Sequence, residues 1–125
     1  MQYSSLMSIG LVVAVLSSGT AHGQSADSRD DIRCIVAAIS SMNIVKDTAM
    51  KGSLQVSALY YLGRLDGREP TLDLEKSLLN ELSKMNAKDV GAEDQRCGKQ
   101  LASRGQAFAN IGKDIMQKGR AQSSN

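Results

Sequence analysis

Residues 28–42 read SRDDIRCIVAAISSM. Ile32, Ile35, Val36, Ile39 and Met42 recur at intervals of three and four, the spacing that lines one face of an α-helix. Ser28 with Asp31 three positions on has the pattern of a capping box, with Asp for the usual Glu. A first helix is therefore expected over 28–45. Cys34 falls early in it.

Three more helical stripes follow. Leu54, Ala58, Tyr61, Leu62 and Leu65 form the second, which ends at Asp66-Gly67 with Pro70 beyond. Gly67 is expected to close that helix in the left-handed conformation. Its start is open between 47 and 53, because Gly52 weakens the first turn. Thr71 is the expected N-cap of a third helix over 72–86, with Leu74, Leu78, Leu82 and Met85 on one side. The fourth starts near Gly91 or Ala92 and runs to Lys118, on a stripe of Cys97, Leu101, Phe108, Ile111 and Ile115 interrupted by Arg104. Gly119 to Asn125 reads as a flexible polar tail. No run alternates apolar and polar residues, so no sheet is expected. The fold class is all-α: a small four-helix bundle over residues 24–118.

The fourth helix carries a second pattern. Glycine recurs every seven residues at Gly91, Gly98, Gly105, Gly112 and Gly119, with Ala102 and Ala109 between. Gly98, Ala102, Gly105, Ala109 and Gly112 thus make a small-residue seam with coiled-coil spacing. Each internal glycine costs roughly 1 kcal/mol of helix propensity. A close partner would offset that: the second helix where Gly63 lies, a second chain, or a client peptide. The seam alone does not choose among them, and the oligomeric state stays open.

The N-terminal segment reads as an address. Residues 1–23 contain no Asp, Glu, Lys or Arg, and Ile9 to Leu16 are unbroken apolar apart from Gly10. Ala21 and Gly23 suit the positions preceding a signal peptidase cut. Cleavage is expected after Gly23, with Ala21 the rival. A membrane-spanning helix needs about 20 apolar residues, roughly twice this run. Export, to the periplasm by first preference, is the expectation. Cleavage there removes His22, the only histidine of the chain. The mature domain then has no imidazole for Ser-His-Asp or Cys-His chemistry or for ordinary zinc sites.

Cys34 and Cys97 are the only two cysteines. In an oxidising compartment a disulfide is expected, stapling the first helix to the last. The chain-entropy relation gives it about 4 kcal/mol as an upper figure. A redox pair or metal dithiolate is the alternative, without the C-x-x-C spacing such pairs use. The close acidic pairs Asp30-Asp31, Asp73 with Glu75, and Glu93-Asp94 lie near expected helix starts and read as capping and solubility. Phosphate-loop, dinucleotide, nucleophile-elbow and EF-hand motifs are missing from the sequence. No catalytic residue, metal or cofactor is expected, and the protein reads as a non-enzyme.

Charge is uneven. Residues 24–95 carry nine basic and twelve acidic residues; from Arg96 onward there are six basic and one acidic, Asp114. Basic ends suit anionic partners. Aromatic stacking platforms for nucleic acid are missing, so no nucleic-acid partner is expected. A membrane surface is a partner considered but not favoured.

Arg33-Cys34, the run Tyr60-Tyr61-Leu62-Gly63-Arg64-Leu65-Asp66-Gly67-Arg68, and Cys97 resemble a group of small exported helical proteins of alphaproteobacteria. That resemblance implies a fold and a compartment, and no activity. A second likeness, in the order of elements alone, is to the periplasmic acid-stress chaperones (HdeA-like), whose one disulfide joins an early and a late helix. A third is to small exported immunity proteins of the Tai type, which carry a tyrosine, glycine and aspartate along one helix, as Tyr61, Gly63 and Asp66 do; their additional cysteines are missing here.

Three functional expectations result. The first is a stress- or chaperone-like binding protein that acid loosens: near pH 2–3 the 13 carboxylates are largely protonated and 15 basic charges stand unbalanced. Leu54, Tyr61, Leu62, Leu78, Leu82, Phe108 and Ile111 would then meet clients. The second is a folded partner-binding or immunity protein, with Tyr60, Tyr61, Arg64, Arg68 and Phe108 as the candidate contact residues. The third is a peripheral membrane-surface protein using the basic C-terminal helix.

Overall fold

A computed structural model describes residues 25–123. The segment read as a signal peptide, with its cleavage site, lies outside the described residues. The order of elements is α1 (Ala26–Ile44), α2 (Thr48–Arg68), α3 (Leu74–Leu82) and α4 (Ala87–Ser123). No strand occurs among the described residues. A disulfide joins Cys34 of α1 to Cys97 of α4. The chain is an all-α four-helix bundle stapled from its first helix to its last.

Side-chain caps set the helix starts, and several differ from expectation. The Ser25 hydroxyl accepts from the Ser28 N–H at 3.2 Å, so Ser25 and not Ser28 caps α1. Asp47 accepts from the Met50 N–H at 2.7 Å, which fixes the start left open around Gly52. Asp73 takes the capping role expected of Thr71, accepting from Lys76 N–H at 3.1 Å. α4 begins earlier than expected because Asn86 and Asp89 form a reciprocal box. Asn86 accepts from the N–H groups of Lys88 and Asp89, and Asp89 accepts from that of Asn86.

The helix ends also differ. Gly67 does not turn left-handed; no described residue has positive φ, and α2 runs through Arg68. Pro70 supplies the stop, since the residue before a proline is pushed out of helical geometry. α3 ends at Leu82, short of the expected 86, because Asn86 opens the next helix. α4 continues through the expected tail from Gly119 to Ser123; positions 124 and 125 lie outside the described residues.

α1 is the hub. α2, α3 and α4 all pack on it; α2 also meets α4, while α3 touches α1 alone. Ile32, Ile35, Val36 and Cys34 of α1 bury against Tyr61 and Leu65 of α2 and Cys97 of α4. Leu74 and Leu78 of α3 are half-buried on the same cluster. α4 outruns this core. Its 37 residues span about 55 Å, against about 28 Å for the 19 of α1. From Ala102 to Ser123 every residue but Gly112 is exposed. The stripe Phe108, Ile111 and Ile115 therefore has no bundle to bury in and stands exposed.

Candidate functional site

Every helix that packs on α1 is tied to it by arginine and a carboxylate. α1 presents Arg29 and Arg33 on one face and Asp31 on the opposite one. Asp31, 2% exposed, is paired with two arginines of α2: Arg64 Nε lies 3.4 Å from its Oδ2, and Arg68 donates to the same oxygen. Arg68 also donates to the Asp27 carbonyl at 3.2 Å. Glu81 of α3, 3% exposed, accepts from Arg33 at 2.9 Å and from Arg29 at 3.3 Å. Glu93 of α4 accepts from Arg33 Nε at 2.7 Å and from Arg96 at 2.7 Å. Arg33 thus bridges α3 and α4 across α1. Arg96 returns to α1, donating to the Asp30 carbonyl at 3.0 Å and lying 3.3 Å from Cys34 Sγ. The Ser41 hydroxyl donates to Asp94.

The lattice surrounds the disulfide. Tyr61 is fully buried, and its hydroxyl donates to the Cys97 carbonyl at 2.8 Å; the Gln100 amide oxygen lies 3.0 Å from the same hydroxyl. The Tyr60 and Tyr61 rings meet edge-to-face, 4.9 Å between centroids. The Arg64 guanidinium lies 5.6 and 5.5 Å from the two ring centres, within cation–π range. Asp31, Arg64 and the two rings form one stacked unit between α1 and α2.

Burial and pairing push the three carboxyls in different directions. Burial raises Asp31, and the opposing pull of Arg64 and Arg68 does not cancel it. Burial also acts to raise Glu81 and Glu93, but their hydrogen bonds from arginine outweigh it and hold both below the usual glutamate value. Burial pushes the Tyr61 phenol up. No buried side-chain nitrogen or oxygen among the described residues lacks a hydrogen-bond partner. The three carboxylates are therefore each paired with arginine in a fully hydrogen-bonded arrangement.

Cys34, Glu93 and Cys97 bring ligand-type atoms within 4.8 Å of one another. The two sulfurs are bonded to each other and offer no thiolate, so the triad is not a metal centre in this state.

The candidate contact residues are largely engaged inside the bundle. Tyr61 is inaccessible, which removes it from the partner surface of the closed bundle and corrects its place among the contact residues of a folded partner-binding protein. Arg64 and Arg68 are about a third exposed, with their heads on Asp31. Tyr60 is half-buried beside them. Phe108 stands apart from this group, 77% exposed on α4. Gly98 and Ala102 face Met50, Ser53 and Leu54 of α2 across an open groove of about 300 Å³. A Cβ added at Gly63, Gly98, Gly105 or Gly112 would meet nothing within 4 Å. Nothing in the described chain closes on the seam. A smaller apolar groove, about 170 Å³, lies between Val36 and Ile39 of α1 and Leu78 and Leu82 of α3.

Asp31 and Glu93, read from sequence as capping and solubility acids, belong to the lattice instead. One signal was available: Arg29 and Arg33 are four residues apart, hence on one helix face. Their partner Glu81 is about fifty residues away, and its pairing is visible only once α3 is placed. No protein-family model, curated protein or solved structure matches this chain.

Proposed function

We propose that this protein is an exported, non-enzymatic client-binding protein whose bundle is loosened by acid. One observation carries the proposal: Glu81 and Glu93 join α3 and α4 to α1 through ion pairs, while a covalent bond holds α1 to α4 at any pH. Their lowered pKa values give the sign. The pairs stabilise the fold above the ordinary glutamate value, and that stability is lost as pH falls through the lower folded value. Asp31 acts oppositely. Its raised value means the folded chain takes its proton more readily than the unfolded chain, so acid does not open the bundle through α2 by this group.

α3 is the weak member. It is nine residues long, packs on α1 alone and has no covalent tie. Its release uncovers Val36 of α1 and frees Leu74 and Leu78, extending the apolar surface that Ile39 and Leu82, 43 and 46% exposed, already present. The disulfide limits how far the rest expands. An opened bundle of this kind offers clients an apolar surface without unfolding to a random chain.

The test is light scattering of an aggregation-prone client shifted to about pH 2.5, below the ordinary carboxylate range, with and without the oxidised protein. Protection near equimolar ratio that disappears at neutral pH is the expected result. Unchanged client aggregation at the acid pH refutes the proposal.

A further inference from the structure

We propose that the free segment of α4 is a docking face for an anionic phospholipid surface, on which the helix lies flat. Phe108, Ile111, Ile115 and Met116 are 77, 55, 65 and 63% exposed. At 100° per residue they fall, with Leu101, on one face about 140° wide. Arg104 interrupts this face one turn before Phe108, Lys118 borders its Ile111 edge and Lys113 lies beyond the Met116 edge. Asp114, the single acid after Arg96, falls outside the apolar face, about 60° beyond Ile111 and one turn from Lys118. Long basic side chains at the borders of an apolar face lie along it and reach headgroups with their charged ends. Arg104, Lys113 and Lys118 form no ion pair with another described residue.

Charge selects the occupant. From Arg96 onward the chain is six basic against one acidic, whereas residues 25–95 are nine basic against twelve acidic. An anionic surface attracts the arm and repels the body, which orients the molecule. A second copy fits poorly. Antiparallel pairing of the same face centred on Ile111 sets Arg104 against Lys118, and parallel pairing sets each against itself. Like charges forced together at a buried seam oppose association. No helix among the described residues is long and apolar enough to cross a membrane, so the contact is in the plane of the surface.

The test is vesicle flotation of the full chain at neutral pH, with phosphatidylcholine vesicles and with vesicles containing about one-third phosphatidylglycerol, at low and high salt. Binding to the anionic vesicles alone, weakened by salt, is expected. Each surface cation is worth about fivefold in partitioning, so the triple variant R104Q/K113Q/K118Q should bind roughly a hundredfold more weakly. Phe108→Glu with Ile115→Glu should abolish binding. Both variants should melt with the wild type, because these side chains touch nothing in the bundle. The apolar stretch Ile9 to Leu16 is common to every sample, so the readout is the difference between variants and between vesicle types. Equal binding by wild type and the double-glutamate variant overturns the proposal, as does equal binding to both vesicle types. A wild-type dimer dispersed by the glutamates also overturns it, and gives the face to a second copy. The measurement is made with the bundle closed, so its failure leaves the acid-loosening proposal standing.

Discussion

Glu81→Gln tests the acid linkage most directly. The substitution keeps shape and one acceptor oxygen and removes the charge. Glu81 is 3% exposed and accepts from Arg33 at 2.9 Å, with Arg33 itself only 22% exposed. A charge-assisted hydrogen bond of that kind contributes about 2 kcal/mol net. The Arg29 contact is longer, at 3.3 Å, and Arg29 is half exposed, so solvent screening leaves it about 0.5 kcal/mol or less. The expected loss at pH 7 is therefore about 2 kcal/mol, or roughly 8–16 °C in Tm for a domain of this size. The loss must shrink as pH falls. The wild type has this stability above 4.5 and gives it up as pH drops through the lowered folded value, while the variant has none to give up. Melting followed by circular dichroism from pH 7 to 3 reads the difference. Hydrogen exchange should show α3 amides accelerated more than those of α2, because α3 packs on α1 alone. A wild-type-to-variant gap that stays constant across the pH range refutes the assignment of Glu81 as an acid-sensitive tie.

Other outcomes follow from the same lattice. Asp31→Asn should show the opposite slope: because Asp31 is raised above 3.8, the wild type gains on the variant as pH falls toward that value, measured by the same melts. Replacing Cys34 and Cys97 by serine should remove about 4 kcal/mol, from a closed loop with a sequence separation of 63; urea midpoints equal to those of the oxidised protein would contradict this. Tyr61→Phe should cost about 1 kcal/mol through the lost hydroxyl donation to Cys97, with no change in m-value. Gly105→Ala with Gly112→Ala should raise helicity at 222 nm, each gaining up to about 1 kcal/mol of local propensity, because an added Cβ meets nothing. Reduced helicity there would mean that a partner occupies the seam.

How much was legible depends on the range of the interaction. Local signals sufficed where one face of one helix decided the outcome. The three-and-four spacing of Ile32, Ile35, Val36 and Ile39 places the core face of α1, and the burial of Ile32, Ile35 and Val36 agrees with it. Caps were less legible, because Ser25, Asp47, Asp73 and Asn86 each compete with nearby Ser, Asp or Thr of similar capping ability. The lattice was hardly legible at all. Asp31 beside Asp30 looks like any acid pair at a helix start until α2 brings Arg64 and Arg68 to it.

The sequence by itself determines the helical class, the number of helices and the two cysteines available to bridge, since periodicity and residue type are properties of the chain. Only the tertiary structure decides which stripe is core and which is surface. The stripe of α4 reads as one apolar face from Cys97 to Ile115, interrupted only by Arg104, yet Cys97 is buried and Ile115 is 65% exposed. The reason is length. α1 offers about 28 Å of partner and α4 is about 55 Å long. Periodicity records which residues share a face, and burial depends on whether another helix reaches it.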